Sequence, residues 1–96
     1  MRPSEALAAH REALRQLIRR YNVAHPRVFG SVLTGQDTEA SDLDLLVDPV
    51  EGTTLFTLGE LQHEAEELLG VRVSVLTPHF LAPHFRAHVL DQAQPL

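Results

Sequence analysis

The 96-residue chain contains no cysteine, no tryptophan and no lysine, and only one tyrosine and one methionine. Without cysteine it can form neither disulfides nor thiolate-bound metal sites. With four phenylalanines and one tyrosine as its only aromatic residues, its core must be aliphatic, built from Leu, Val and Ala. No apolar run approaches the roughly 20 residues that cross a bilayer. The Arg- and Glu-containing start lacks a secretory pattern, so a cytoplasmic protein is expected. A chain of this length buries one modest core, which makes residues 1–96 a single domain.

Charge is the next constraint. Eight arginines face thirteen acidic residues, for a net charge of −5. An acidic surface disfavours long nucleic acid, whose binding rewards phosphate neutralisation by many cations. Arg11, Arg15 and Arg19 recur at i,i+4, with Arg20 beside them. They read first as a solvated helix face paired with Glu5 and Glu12. A docking stripe for an acidic partner or an RNA tail is the sharper alternative.

Pro3-Ser4 opens a helix over about 4–21, with Leu7, Leu14, Leu17, Ile18 and Tyr21 at helical spacing. Asn22 to Pro26 breaks it, and a short strand covers about 27–29 before Gly30. Residues 31–34 read as one helical turn and 35–41 as a polar loop. A second strand over about 42–48 alternates, with Leu43, Leu45 and Val47 on one side and Asp42, Asp44, Leu46 and Asp48 on the other. Leu55, Leu58, Leu61, Ala65, Leu68 and Leu69 mark a core-facing helix stopped by Gly70. A third strand spans 71–76, and a last helix about 83–92 offers Phe85, Val89 and Leu90 for packing. The pattern predicts a small α/β (α+β) fold, with a mixed sheet of three to four strands and helices mainly on one face.

Residues 27–48, RVFGSVLTGQDTEASDLDLLVD, carry the chemistry. Gly30 removes the Cβ that would keep a phosphate from the backbone. Ser31 adds a hydroxyl and an N–H at the start of a turn, where free donors favour an anion. Ten residues on, Asp42 and Asp44 leave one side of a strand, roughly 6–7 Å apart along it. Unneutralised, such carboxylates repel by about 2–3 kcal/mol at an effective dielectric near 20. A Mg²⁺ between them turns that repulsion into binding and leaves positions for water and phosphate. Phosphoryl or nucleotidyl transfer needs this arrangement.

At these residues the chain resembles the minimal nucleotidyltransferases of the DNA polymerase beta-like superfamily, whose hallmark is Gly-Ser, ten residues, then Asp-x-Asp. Gly30-Ser31 and Asp42-Leu43-Asp44 match it, and Gly35, Ser41 and Leu45-Leu46-Val47 extend the match. The resemblance implies a nucleotidyltransferase fold, ATP as substrate with Mg²⁺, and transfer of AMP to an acceptor. It assigns Gly30 and Ser31 to the nucleotide and Asp42 and Asp44 to metal and catalysis. It also implies a partner, a HEPN-domain ribonuclease toxin that such proteins counter as antitoxins by adenylylating a tyrosine.

Two departures bear on activity. Where the family commonly has an Arg before the glycine, Thr34 stands here. Where it has a third carboxylate on the next strand, the sequence reads Val73-Ser74-Val75, leaving a neutral Ser74 and an incomplete two-metal site. A non-catalytic binding module that acts by complex formation alone is therefore the competing reading. Asp48 or Glu51 is the nearest acid that could stand in. A drug-modifying enzyme like kanamycin nucleotidyltransferase fits less well, because no second domain is present to build its acceptor pocket. The six histidines, with 84/88 at i,i+4, read as surface residues and only weakly as a metal site. Phe80, Leu81 and Phe85 suggest an apolar patch over a thinly covered sheet face, which would suit a partner or a homo-oligomer.

Overall fold

A computed structural model describes residues 1–96. The elements run α1 (Pro3–Ile18), β1 (Val23–Phe29), α2 (Ser31–Thr34), β2 (Leu43–Pro49), α3 (Leu55–Leu69), β3 (Val73–Leu76), a 3₁₀ turn (Pro78–Phe80), α4 (Pro83–Gln92) and β4 (Gln94–Pro95). Four strands form one sheet in the order β3-β2-β1-β4, with β2 and β3 parallel and the other pairs antiparallel. The mixed sheet is the expected one.

Strand parity explains the layering. Leu43, Leu45 and Val47 of β2 and Val73 and Val75 of β3 turn to one face. There they meet Leu7, Leu14, Leu17 and Ile18 of α1 and Leu58, Leu61, Ala65 and Leu69 of α3. Leu46 turns the other way and is fully buried under Leu81 and Val89, with Phe29 and Leu76 partly buried beside it. The second face is therefore not thinly covered: the 3₁₀ turn and α4 close over its middle. No helix is long and apolar enough to cross a membrane.

Several boundaries differ from expectation. α1 ends at Ile18 because Arg20 and Tyr21 donate to Leu17 and Ile18, three residues back, which tightens the chain out of the helix. β1 begins at Val23 and runs through Pro26, where a break had been expected. Its pairing with β2 slips between Ala24 and Arg27, where His25 has φ +51°, and that irregularity accommodates a proline with no N–H to donate. β4, two residues long, was not foreseen. It lies along Arg27 and Val28, and the Leu96 N–H donates to the Pro26 carbonyl at 3.0 Å. Leu55, expected in the core, is 72% exposed at the first position of α3. Side chains of α3 protect the outer edge of β3: Glu66 accepts from Val73 N–H at 3.1 Å and Gln62 from Val75 N–H at 3.2 Å.

Candidate functional site

Two registers bring the motif together. Phe29 pairs with Asp44 across the antiparallel β1–β2 ladder, so Gly30 leaves β1 beside Asp44. Asp44 pairs with Ser74 across the parallel β2–β3 ladder, so Ser74 flanks the acids on the same face. Gly30 is held at φ +81°, ψ −150°, a conformation open essentially to glycine alone. A Cβ there would collide with Asp44 Oδ2 and stand 3.3 Å from its Cγ. The glycine thus lets the backbone turn directly over a carboxylate. Ser31 follows as the first residue of α2, its carbonyl accepting from Gln36 N–H at 3.1 Å. Thr34 Oγ1 donates to the same carbonyl at 3.2 Å, where the family resemblance had suggested an arginine.

The two acids sit in unequal surroundings. Asp42 immediately precedes β2, and its Oδ1 takes an ion pair from Arg72 Nε at 3.0 Å. The same guanidinium also donates to the Ala40 carbonyl. Ser74 Oγ approaches Asp42 Oδ2 at 3.5 Å, a long contact. Asp44 lies two residues further along, inside β2, and receives no such cation. Burial, reinforced by the neighbouring Asp42 charge, raises its carboxyl above the ordinary range.

The donor set gives a test of metal fit. Nowhere do three His, Cys, Asp or Glu side chains cluster as a self-sufficient metal site. Two carboxylates and a hydroxyl beside a bare glycine suit instead a hard cation that brings its own waters and phosphate oxygens. Mg²⁺ is usually bound in that way.

Neither stand-in acid replaces the missing carboxylate. Asp48 lies inside β2, on the same face as Asp42 and Asp44. Arg27 holds it at 2.9 Å and His25 at 2.8 Å, and the arginine, with help from the histidine, keeps its carboxyl below the usual range. Glu51 is exposed in the following turn. Asp37, in the loop between α2 and β2, is buried but turns to α1, accepting from Ser4 N–H at 2.9 Å. Of the histidines, His25 and His63 pair with acids and His88 packs against Phe85. The arginine stripe is largely solvated as expected, with Arg15 bonded to Glu12 at 3.0 Å and to the Leu96 carbonyl at 2.7 Å, but Glu5 pairs with Arg2 and not with the stripe. Arg72 escaped the sequence reading, although strand parity puts it on the Ser74 side.

A cleft of about 780 Å³ opens from Gly30 and Asp44 toward α4. The sequence profile of the nucleotidyltransferase domain family matches residues 7–95. The chain belongs to that family. Protein adenylyltransferase MntA of Thermococcus cleftensis is 41% identical over 70 residues, which is 73% of this chain and 68% of the relative. A solved structure provisionally described as a minimal nucleotidyltransferase is 47% identical, with a TM-score of 0.85 over 97% of this chain and 95% of that one. A chain from the complex of the tri-AMPylated Shewanella oneidensis HEPN toxin with its MNT antitoxin shares the fold, with a TM-score of 0.68 at 16% identity. That match covers 92% of this chain and 69% of its counterpart. In this nucleotidyltransferase domain the Gly-Ser turn comes from the β1–α2 junction and the acid pair from the start of β2 and the residue before it, with β3 supplying the flanking position.

Proposed function

We propose that this domain binds ATP with Mg²⁺ and acts as the antitoxin of a HEPN-type toxin by transferring AMP to a hydroxyl of that partner. One observation carries the reading: the β1–β2 register seats Gly30 against Asp44, so that a glycine turn, bare of the side chain that would block close approach, lies directly beside a cation-seeking carboxylate. Gly30 and Ser31 hold the triphosphate through backbone N–H groups and the Ser31 hydroxyl. Asp42 and Asp44 would hold the metal, which when bound neutralises triphosphate charge and polarises the phosphorus under attack. The names of the relatives, an adenylyltransferase and an MNT antitoxin with an AMPylated HEPN toxin, support adenylyl transfer to a protein.

In the transfer, the acceptor oxygen forms a bond to the α-phosphorus while the bond from that phosphorus to pyrophosphate breaks. Pyrophosphate leaves with the electron pair, and the acceptor hydroxyl gives up its proton. A third carboxylate would take that proton, but Ser74 is neutral and leaves it to water or to a basic group of the acceptor. General-base assistance is worth about 10²–10⁴-fold, so the chain is a slow enzyme compared with a three-acid site.

Ser74 and the Arg72–Asp42 pair also favour a second reading, neutralisation by complex formation alone. One measurement separates the two. The protein is incubated with ATP, Mg²⁺ and the HEPN-type partner, and intact masses are read. Added AMP on the partner that is lost in Asp44→Asn supports transfer. A stable complex without added mass, unchanged in Asp42→Asn and Asp44→Asn, overturns it in favour of the binding module.

A further inference from the structure

The cleft that begins at Gly30 and Asp44 is larger than a triphosphate and its metal require, and its far wall is chemically different. Leu33 of α2 and Phe85 of α4 line it with 36% and 49% of their surfaces exposed, leaving apolar surface open to the cleft. His88 stands beside Phe85, their ring centroids 6.4 Å apart, and Gln92 lies one helical turn further along the same wall. At one end, then, is the phosphate-facing glycine. At the other, an exposed aromatic face is rimmed by an imidazole and an amide. A planar, weakly polar heteroaromatic group joined to phosphate matches both ends, because the ring buries its face on Phe85 while its edge meets hydrogen-bonding groups.

We propose that this wall is the nucleobase subsite, with Phe85 as the stacking platform and His88 and Gln92 at the ring edge. The assignment rests on the reading that Gly30, Ser31 and the two aspartates hold the triphosphate, and it adds the residues that separate a nucleotide from bare polyphosphate. Base-on-aromatic stacking is worth about 1–3 kcal/mol by alanine substitution, roughly 5- to 150-fold in affinity. Phe85 is half exposed, so the lower end of that range applies.

The test uses the full chain and two probes, Mg²⁺–ATP and Mg²⁺–tripolyphosphate, titrated calorimetrically. Phe85→Ala should weaken ATP about five- to ten-fold and leave tripolyphosphate within two-fold, and Phe85→Trp should restore ATP. His88→Ala should weaken ATP by a smaller factor, again without touching tripolyphosphate. Asp44→Asn should weaken both probes. If Phe85→Ala shifts both probes alike, or neither, the base subsite is overturned while the phosphate site stands. The subsite is likewise overturned if the variant loses only capture of a protein partner, which makes the wall a docking surface. If the wild-type chain takes up neither probe, the phosphate reading falls first and this one with it.

Discussion

Restoring a carboxylate at Ser74 probes the site on two independent scales. Ser74 stands in register with Asp44, and its hydroxyl already lies 3.5 Å from Asp42 Oδ2. An aspartate there puts a third negative charge about 4 Å from one acid and next to another. At that distance each repulsion is worth about 1 kcal/mol in water and about 4 kcal/mol at an effective dielectric of 20. The site is half exposed and Arg72 offsets part of the charge, so a net cost of about 1–2 kcal/mol is expected. For a domain of this size 1 kcal/mol moves Tm by about 4–8 °C, giving a fall of roughly 5–15 °C without metal. Divalent cation reverses the sign, because three clustered carboxylates bind it more tightly than two, and binding to the folded state raises stability. Thermal melts of wild type and Ser74→Asp, each with chelator and with Mg²⁺, measure both effects, and AMP transfer should accelerate in the variant. Equal melting temperatures in chelator, or the same Mg²⁺ response in both proteins, would refute the placement of Ser74 beside the acid pair.

Three further outcomes follow from the same geometry. Gly30→Ala should destabilise by about 2 kcal/mol or more, from strain at positive φ and collision with Asp44, and should abolish triphosphate binding; melts and calorimetry report it. Asp44→Asn should stabilise the metal-free protein at pH 7. The folded carboxyl holds its proton where the unfolded chain has already lost it, so wild-type stability declines as pH rises from about 4 through the raised value. Chemical denaturation across pH should show the two proteins converging below about pH 4. Asp48→Asn should behave oppositely, costing about 0.5–1 kcal/mol at pH 7 through lost contacts to Arg27 and His25. That cost should disappear as pH falls through the lowered pKa of the wild-type carboxyl.

The sequence disclosed what alternation and punctuation encode, and little of what depends on partners distant in the chain. Period-two spacing separated Leu43, Leu45 and Val47 from Leu46 and the aspartates, and the structure keeps that division. Gly70 ends α3 in the left-handed conformation such a stop requires. The start of β1 was illegible because Pro26 signals a break, and only the slipped pairing with β2 makes it tolerable. β4 carries no periodicity in two residues and exists because β1 offers a free edge. The Gly30-to-Asp44 contact was foreseen as a motif, yet its physical basis, a glycine that any Cβ would push into a carboxylate, emerges only from the register. Arg72 was missed, and Phe85 was read only as a packing residue or part of an apolar patch, for one reason. Each gains its meaning from a residue distant in the chain, Asp42 for the first and, across the cleft, Gly30 for the second.

In the proposed site, Arg72 would decide how the acid pair meets an incoming cation. Its Nε occupies Asp42 Oδ1 and Ser74 leans toward Oδ2, while Asp44 keeps a desolvated carboxylate with no cation beside it. On the proposed function, metal arriving with a triphosphate would find its strongest unmet attraction at Asp44 and would compete with Arg72 for Asp42. The pair is more than a third exposed on both sides, so its strength lies near the surface value of about 0.2–1 kcal/mol. Removing the guanidinium should strengthen binding of bare metal and weaken binding of bare polyphosphate, because one charge opposes the first ligand and assists the second. In Arg72→Gln, Mn²⁺ titrated without nucleotide should bind about 1.5- to 5-fold more tightly. Metal-free tripolyphosphate should bind more weakly, both read by calorimetry. A variant in which the two affinities move in the same direction would show that Arg72 acts on the fold of the loop through Ala40, and not on the charge of the site.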